Sequence, residues 1–309
     1  MTQPFIHAFA DVQTSTIGPG SMIWQFVVVL STARIGADCN IGPNCFVAND
    51  VFIGDRVTLT SHVHLSSGLH LGDDVSIGAN VSFAGSRLLS AAGIEKQVAT
   101  TVEDGVSIGA GATISPHIVL GRHAVVAPGA VVTRSVPANA VVEGNPAIIV
   151  GYVDAPHSKA SGAPVPMAEG SHSTRVTGVT RYRLHLVPDI RGSLTVGEFG
   201  RSIPFAVKRY FIVFDVPSAE TRGEHAHREC HQFLICVRGS CSVVADDGNN
   251  REEFQLDRPD VGLHLSPMVW GIQYNYSADA ALLVFASHAY DSEDYIRSYS
   301  EFLARVKSK

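Results

Sequence analysis

The aliphatic residues of the N-terminal half fall on a six-residue grid. From Ile17 it runs through Ile23, Val29, Ile35, Ile41, Val47, Ile53, Leu59, Leu65, Leu71, Ile77 and Phe83, and every slot is apolar. Four places after each slot stands a small or aliphatic residue, from Ser21 and Val27 through Cys39 and Cys45 to Val75 and Val81. The grid breaks across residues 84–101, "AGSRLLSAAGIEKQVATT", and resumes one residue out of phase at Val102, Ile108, Ile114, Leu120, Val126 and Val132. A helix repeats at 3.6 residues and a strand at two, so neither counts in sixes. A short fixed period is the mark of a solenoid. Each hexapeptide predicts one flat face, a short strand and a turn, and three predict one coil. The aliphatic residue points inward. The glycine beside it, as in Ile35-Gly36 and Ile53-Gly54, is expected at the turn, where the backbone is left-handed or crowded. The break is expected to be a loop that leaves the coil and forms part of a site.

Residues 154–175, rich in Pro, Ser, Ala and Gly and without period, read as a linker. Beyond it "FAVKRYFIVFDV", "HQFLICVRGSCSVVAD" and "AALLVFAS" read as strands, and "DDGNN" and "VRGS" as hairpin turns. The tail "DSEDYIRSYSEFLARVKSK" reads as a helix, with Asp291 or Ser292 as its N-cap and Lys307 and Lys309 at its end. Many short strands and one terminal helix predict a small antiparallel barrel or jelly roll. The expected chain is therefore all-β, with a solenoid over 1–153, a linker over 154–175 and a barrel over 176–309.

Composition narrows the function. A net charge of -6 argues against a nucleic-acid or anionic-membrane partner. Five cysteines with no CxxC suggest neither a disulfide framework nor a thiolate zinc site, and suit a reducing cytoplasm. The start "MTQPFIHAFADVQ" lacks a signal-peptide pattern, and the longest apolar run, near "FVVVL", is too short to span a bilayer. A cytoplasmic location with no membrane partner is expected.

The sharpest chemistry lies in "RGEHAHRECHQFLICVRGS". His225 and His227 are two apart, so on a strand they share a face, and Arg222 and Arg228 flank them. Such a pair inside a barrel is costly unless something polar binds there. A cupin metal site would need a glutamate where Gln232 stands and a further ligand near Trp270. Two imidazoles and an amide make a poor divalent-metal site, and none is expected. In the solenoid, His62, His64, His70, His117 and His123 are the candidate general bases.

Two resemblances extend this reading. The repeats, with "NIGPNCFVANDVFIGDRVT", "IGANVSF" and the closing "VVAPGAVVTRSVPANAVVEGNPAIIVGYV", resemble the hexapeptide-repeat sugar N-acetyltransferases. That resemblance implies a left-handed parallel β-helix, acetyl-CoA as donor and a trimer with sites at its seams. It places Asn80 near the sugar amine and Arg134 and Asn145 at the coenzyme. Relatives continue with Thr-Asn-Asp where this chain has Ala84-Gly85-Ser86. Residues 176–305, through "DIRGSLTVGEFGRSIPFAVKRYFIVFDV", "RGEHAHRECHQFLICVRGSCSVVADDG", "VGLHLSPMVW" and "LLVFASHAYDSEDYIRSYSEF", resemble the dTDP-4-keto-6-deoxyhexose 3,4-ketoisomerases. This implies a cupin fold, a dTDP-linked sugar and a metal-free pocket lined by His225, His227 and Arg191. Relatives carry a tyrosine at or beside Tyr210. His231 and His264 are expected at the pocket rim or in packing.

A ketoisomerase makes a 3-keto sugar, a separate PLP aminotransferase would make the amine, and an acetyltransferase would cap it. The chain resembles fusions of the first and third steps, which serve surface glycans such as O-antigens. Two other readings stand beside this one. The barrel is a 3,5-epimerase-like enzyme, or the β-helix is a trimerising scaffold without catalysis.

Overall fold

In a computed structural model of the chain, residues 3–84, 100–155, 168–217 and 220–308 are described. The chain divides into two compact units, Met1–Val153 and Asp154–Lys309.

The first unit is a β-solenoid of two-residue strands. Each strand pairs in parallel with the strand one coil on, as in Met22↔Asn40, Asn40↔Thr58 and Thr58↔Ser76. The strands form three sheets, of nine, seven and five strands. The second residue of each strand lies on the grid and faces the interior: Ile23, Ile41, Leu59 and Ile77 are all 0% exposed. The residues between slots, such as Val27, Cys39 and Val57, are buried too. The core is thus a continuous aliphatic column, and its burial is the main stabilising term.

The phase slip has a geometric reason. Ser76 pairs with Ser107, 31 positions on. That exceeds one 18-residue coil by 13, which is two hexapeptides and one residue. After the interruption the strands resume in the same three sheets. The body of the interrupting segment, 85–99, lies outside the described residues.

Crowding alone accounts for the glycines beside the aliphatic slots. A Cβ on Gly42 would lie 1.4 Å from the Thr60 carbonyl oxygen, and one on Gly36 2.5 Å from that of Gly54. Left-handed backbone falls two residues later, on Asp38 (φ 54°), Asn44 (φ 60°), Arg56 (φ 57°), His62 (φ 55°) and Asn80 (φ 59°). Carboxylates reinforce one corner from coil to coil. Asp55 accepts from the Ala37 amide, Asp73 from Asp55, and Asp104 from Asp73.

The second unit is a two-sheet sandwich. A six-stranded sheet runs in the order Gly170–Ser173, Val179–Arg183, Val261–Leu265, Gln232–Arg238, Ala281–Ala286, Arg209–Phe214. A five-stranded sheet runs Arg251–Leu256, Cys241–Asp246, Trp270–Tyr274, Arg222–His227, Tyr295–Ile296. Both contribute to one core, with Leu234, Leu263 and Leu282 from the first and Val243, Ala245 and Phe254 from the second. Trp270 packs outward on Tyr299 and Phe302 of the terminal helix Tyr299–Lys307.

Three expectations change. The strand Gly170–Ser173 pairs with Val179–Arg183 inside the stretch read as linker. "VRGS" is no hairpin turn, because the strands on either side belong to different sheets; "DDGNN" does join a hairpin, Cys241–Asp246 with Arg251–Leu256. The helix starts later than read, capped by the Ser298 side chain, while Asp291 caps a separate 3-10 turn, Ser292–Asp294.

Gly42→Ala is expected to strip the solenoid of one coil contact, since backbone rather than a movable side chain fills the space. Thermal unfolding followed by circular dichroism should show a transition lowered by several degrees, with the activity of the second unit retained at low temperature. An unchanged transition would mean that the coils are not packed this closely.

Candidate active site

The strand Arg222–His227 puts His225 and His227 on the same inner face. His225 Nδ1 lies 2.9 Å from the Gly223 carbonyl oxygen, which can only accept, so Nδ1 carries the proton. His227 Nδ1 lies 2.6 Å from Asp294 Oδ2 and donates to it. In the neutral pair both Nε2 atoms therefore bear lone pairs. They face each other across 3.2 Å. The Gln232 amide nitrogen, 3.0 Å away, donates to His227 Nε2. Among the described residues no such donor reaches His225 Nε2. One added proton turns this N···N contact into a hydrogen bond, so the pair is built to hold a single transferable proton.

Burial enforces the neutral ground state. Desolvation drives His225 down to about 4, only partly offset by the Gly223 carbonyl. Desolvation also lowers His227, while the hydrogen bond and charge of Asp294 pull it back up. For Asp294 burial raises the carboxyl, but the Glu229 amide and His227 outweigh it and hold it below its usual range. Tyr295 packs its ring on both imidazoles, at 4.8 and 4.4 Å between centroids, and Arg297 lies 4.5 Å over that ring.

Asp294 was not legible as a site residue in the sequence. Neither was Arg209, whose charge lowers His227 and whose buried Nε has no partner among the described residues. The Lys-Arg pair before Tyr210 was the one available signal. On the strand Arg209–Phe214 alternation turns Arg209, Phe211 and Val213 inward, and Tyr210 outward at 66% exposure. Tyr210 is thus not in this pocket. Arg191 is not gathered there either. It sits at the tip of the separate hairpin His185–Asp189/Gly192–Val196, its side chain 85% exposed and paired with Asp189 at 2.6 Å. Arg228, read as flanking the pair, turns away to Glu301 and the Glu293 carbonyl. His231 and His264 bond each other at 3.0 Å beneath Phe205. They occupy the opposite face of the six-stranded sheet from Gln232, a packing position.

Potential ligand atoms of His227, Cys230 and Asp294 lie within 4.8 Å of one another. The His227 and Asp294 atoms are 2.6 Å apart. Two tetrahedral ligands of one ion stand about 3.3 Å apart, so the contact is a hydrogen bond rather than a shared metal edge.

In the solenoid, Asn80 and His62 stand on one corner, exposed, one coil apart. His64 packs edge-on to Phe46, and His70 stacks on Phe52 at 4.6 Å. His117 and His123 occupy other corners, their amides bonded to Thr100 and Asp104. Arg134 and Asn145 are exposed, just after the last short strand and in the closing hairpin.

Residues 177–307 match the family described as WxcM-like, C-terminal (FdtA), and residues 14–49 and 99–134 match the bacterial transferase hexapeptide (six repeats). Over 114 residues the chain is 46% identical to the TDP-4-oxo-6-deoxy-α-D-glucose-3,4-oxoisomerase of Aneurinibacillus thermoaerophilus, covering 37% of this chain and 82% of that protein. A solved 3,4-ketoisomerase from Helicobacter canadensis is 40% identical, over 42% of this chain and 97% of that one, with a TM-score of 0.41. The sugar 3,4-ketoisomerase QdtA from Thermoanaerobacterium thermosaccharolyticum, solved with TDP, is 34% identical, over 43% and 96%, with a TM-score of 0.42. The chain belongs to the sugar 3,4-ketoisomerase family through its C-terminal unit, which is fused to hexapeptide repeats of the bacterial transferase kind.

The buried neutral histidines fix the sign of a pH effect. The folded value of His225, about 4, lies below its unfolded value of 6.5. Its contribution to stability is complete above pH 6.5 and is lost as pH falls toward 4. Urea midpoints should drop between pH 7 and pH 5, and less steeply in His225→Gln. Equal slopes in the two proteins would remove His225 from the linkage.

Proposed function

We propose that the chain is a bifunctional nucleotide-sugar enzyme. The C-terminal unit moves the carbonyl of dTDP-4-keto-6-deoxyglucose from C4 to C3. The solenoid N-acetylates, from acetyl-CoA, the 3-amino sugar that a separate PLP aminotransferase makes from that ketone. The observation that carries the first half is the facing Nε2 pair of His225 and His227, with both Nδ1 protons committed elsewhere. The repeats carry the second half only as a class, since hexapeptide transferases move acyl groups to many acceptors.

The geometry supports a proton relay within the histidine pair. His225 Nε2 takes the proton from C3, and the C–H electron pair moves into an enediolate. Arg209 and Arg297, whose charges are felt at His227, offset the oxyanion. The proton, held between the two Nε2 atoms, is delivered to C4, while the O3 hydroxyl proton passes to O4. No net proton is gained or lost, and Asp294 keeps His227 in the tautomer that can share it.

In the solenoid the amine attacks the thioester carbonyl of acetyl-CoA, the C–S bond breaks and the thiol leaves. The acceptor amine is placed at Asn80, and the coenzyme beside Arg134 and Asn145 in a trimer seam.

Incubation with dTDP-4-keto-6-deoxyglucose in D2O, followed by NMR, should give a 3-keto product whose rate a chelator leaves unchanged. Deuterium at C5 alone would instead mark an epimerase and end this reading. His225→Asn and His227→Asn should each lower kcat by about 10²- to 10⁴-fold. Asp294→Asn should move the acid limb of the pH–rate profile to lower pH, because the carboxylate raises His227. A limb that stays in place would exclude Asp294 as the positioning residue. Loss of thioester absorbance with acetyl-CoA and the dTDP-linked 3-amino sugar tests the second activity; no loss would leave the solenoid a scaffold.

A further inference from the structure

The start of the solenoid carries an exposed aromatic strip that the chemistry above leaves unused. The rings of Trp24, Phe5, His7, Phe9 and Phe26 follow one another at centroid separations of 5.9, 6.5, 5.5 and 5.9 Å. At its end Phe9 and Phe26, 68% and 59% exposed, lie with their planes 5° apart.

Phe26 is placed at a cost on two counts. Its backbone is left-handed, at φ 59°, a conformation that bulky residues rarely adopt and that Asn and His take more readily. The next coils respect that preference, with Asn44, His62 and Asn80 at the same corner. Its ring is also mostly in water. Neither core packing nor backbone ease accounts for a phenylalanine there.

The corner is a straight track. Phe26 donates its amide to the Phe9 carbonyl at 3.0 Å, Asn44 to Gln25 at 3.3 Å, His62 to Pro43 at 3.1 Å and Asn80 to Ser61 at 3.0 Å. Phe26 therefore stands three coils from Asn80, about 14 Å at roughly 4.8 Å per strand spacing. Between them, among the described residues, the left-handed positions of this corner are the exposed polar Asn44 and His62. A planar apolar head with a polar tail fits such a track, and a deoxyribose with two phosphates spans a distance of this order. A subunit seam fits less well. Past Met22 the outward positions of one neighbouring sheet turn polar, at Asn40, Thr58, Ser76 and Ser107, and on the other Val28 and Phe46 give way to His64 and Ser82, whereas the centre of an oligomer interface is apolar.

We propose that Phe9 and Phe26 form a stacking platform for the pyrimidine base of the nucleotide-linked amino sugar, so that its amine reaches Asn80. The proposal rests on the acetyltransfer reading given above, and its test separates the two. Equilibrium dialysis of the full-length protein against dTDP is expected to find two equivalents per chain, one in each unit. The double variant Phe9→Ala/Phe26→Asn keeps at position 26 a residue that this corner accepts in the next coil. It is expected to lose one equivalent while the ketoisomerase rate stays at the native value. In acetyl-transfer assays it should raise KM for the dTDP-linked 3-amino sugar about 5- to 100-fold, the range that base–aromatic stacking gives. Its kcat and the KM for acetyl-CoA should stay near native, and the rate with the same amino sugar lacking the nucleotide should not move.

A single dTDP equivalent in the native protein, or two retained in the variant, overturns the platform. So does a change of sedimentation coefficient in the variant, which would make the strip a contact between copies of the chain. Loss of one equivalent in the variant, from a native protein that acetylates no amine, upholds the platform and ends the acetyltransferase reading instead.

Discussion

The hydrogen bond from His227 Nδ1 to Asp294 holds more than one ring in place. The same carboxylate accepts the Glu229 amide at 2.8 Å, and the Asp294 carbonyl accepts that of Arg228 at 2.9 Å. Together they fasten the C-terminal segment to the end of the strand Arg222–His227. The short strand Tyr295–Ile296 then completes the five-stranded sheet, and Tyr295 comes to rest on both imidazoles. Because the Nδ1 protons are committed to Gly223 and Asp294, the two Nε2 atoms are turned on each other, and among the described residues only the lone pair of His227 has a further donor, Gln232. The closure of the sheet and the tautomers of the histidine pair therefore share one side chain that arrives from 67 residues away.

The two units stabilise themselves by different physical means. The sandwich encloses its core between sheets, and a few of its buried polar atoms, Tyr276 Oη and Arg209 Nε among them, have no hydrogen-bond partner among the described residues. The solenoid encloses only a thin aliphatic column, and its order comes from backbone bonds repeated at each coil. Such an object has no deep pocket of its own. What it offers instead are straight lines of side chains at fixed spacing along its corners.

The grid was legible because each slot faces the same interior, so one physical demand repeats in the sequence. The shared face of His225 and His227 was legible for a similar reason, since a two-residue spacing on a strand fixes it. Legibility failed where a single position decides orientation or where the partner is remote. Tyr210 and Arg209 are neighbours, and the sequence does not say which of two adjacent residues points inward. The carboxylate of Asp294 sits in an acidic run that reads equally well as a helix cap, a role that Asp291 and Ser298 fill instead. "VRGS" has the composition of a hairpin turn, yet pairing partners elsewhere in the chain send its two strands to different sheets. The glycines beside the aliphatic slots were rightly placed at constrained points, but crowding from the next coil, not backbone handedness, is the constraint.

The corner from Phe26 to Asn80 also has a metric meaning. Its graduations are set by strand spacing, so an insertion or deletion of eighteen residues would lengthen or shorten the track by one coil while every surviving side chain kept its face. Relatives with one coil more or fewer between the aromatic end and the asparagine would measure a different substrate length with the same chemistry. On the platform proposed above, the repeat that gives the domain its stability would also serve as a ruler, one whose reading changes in whole steps only.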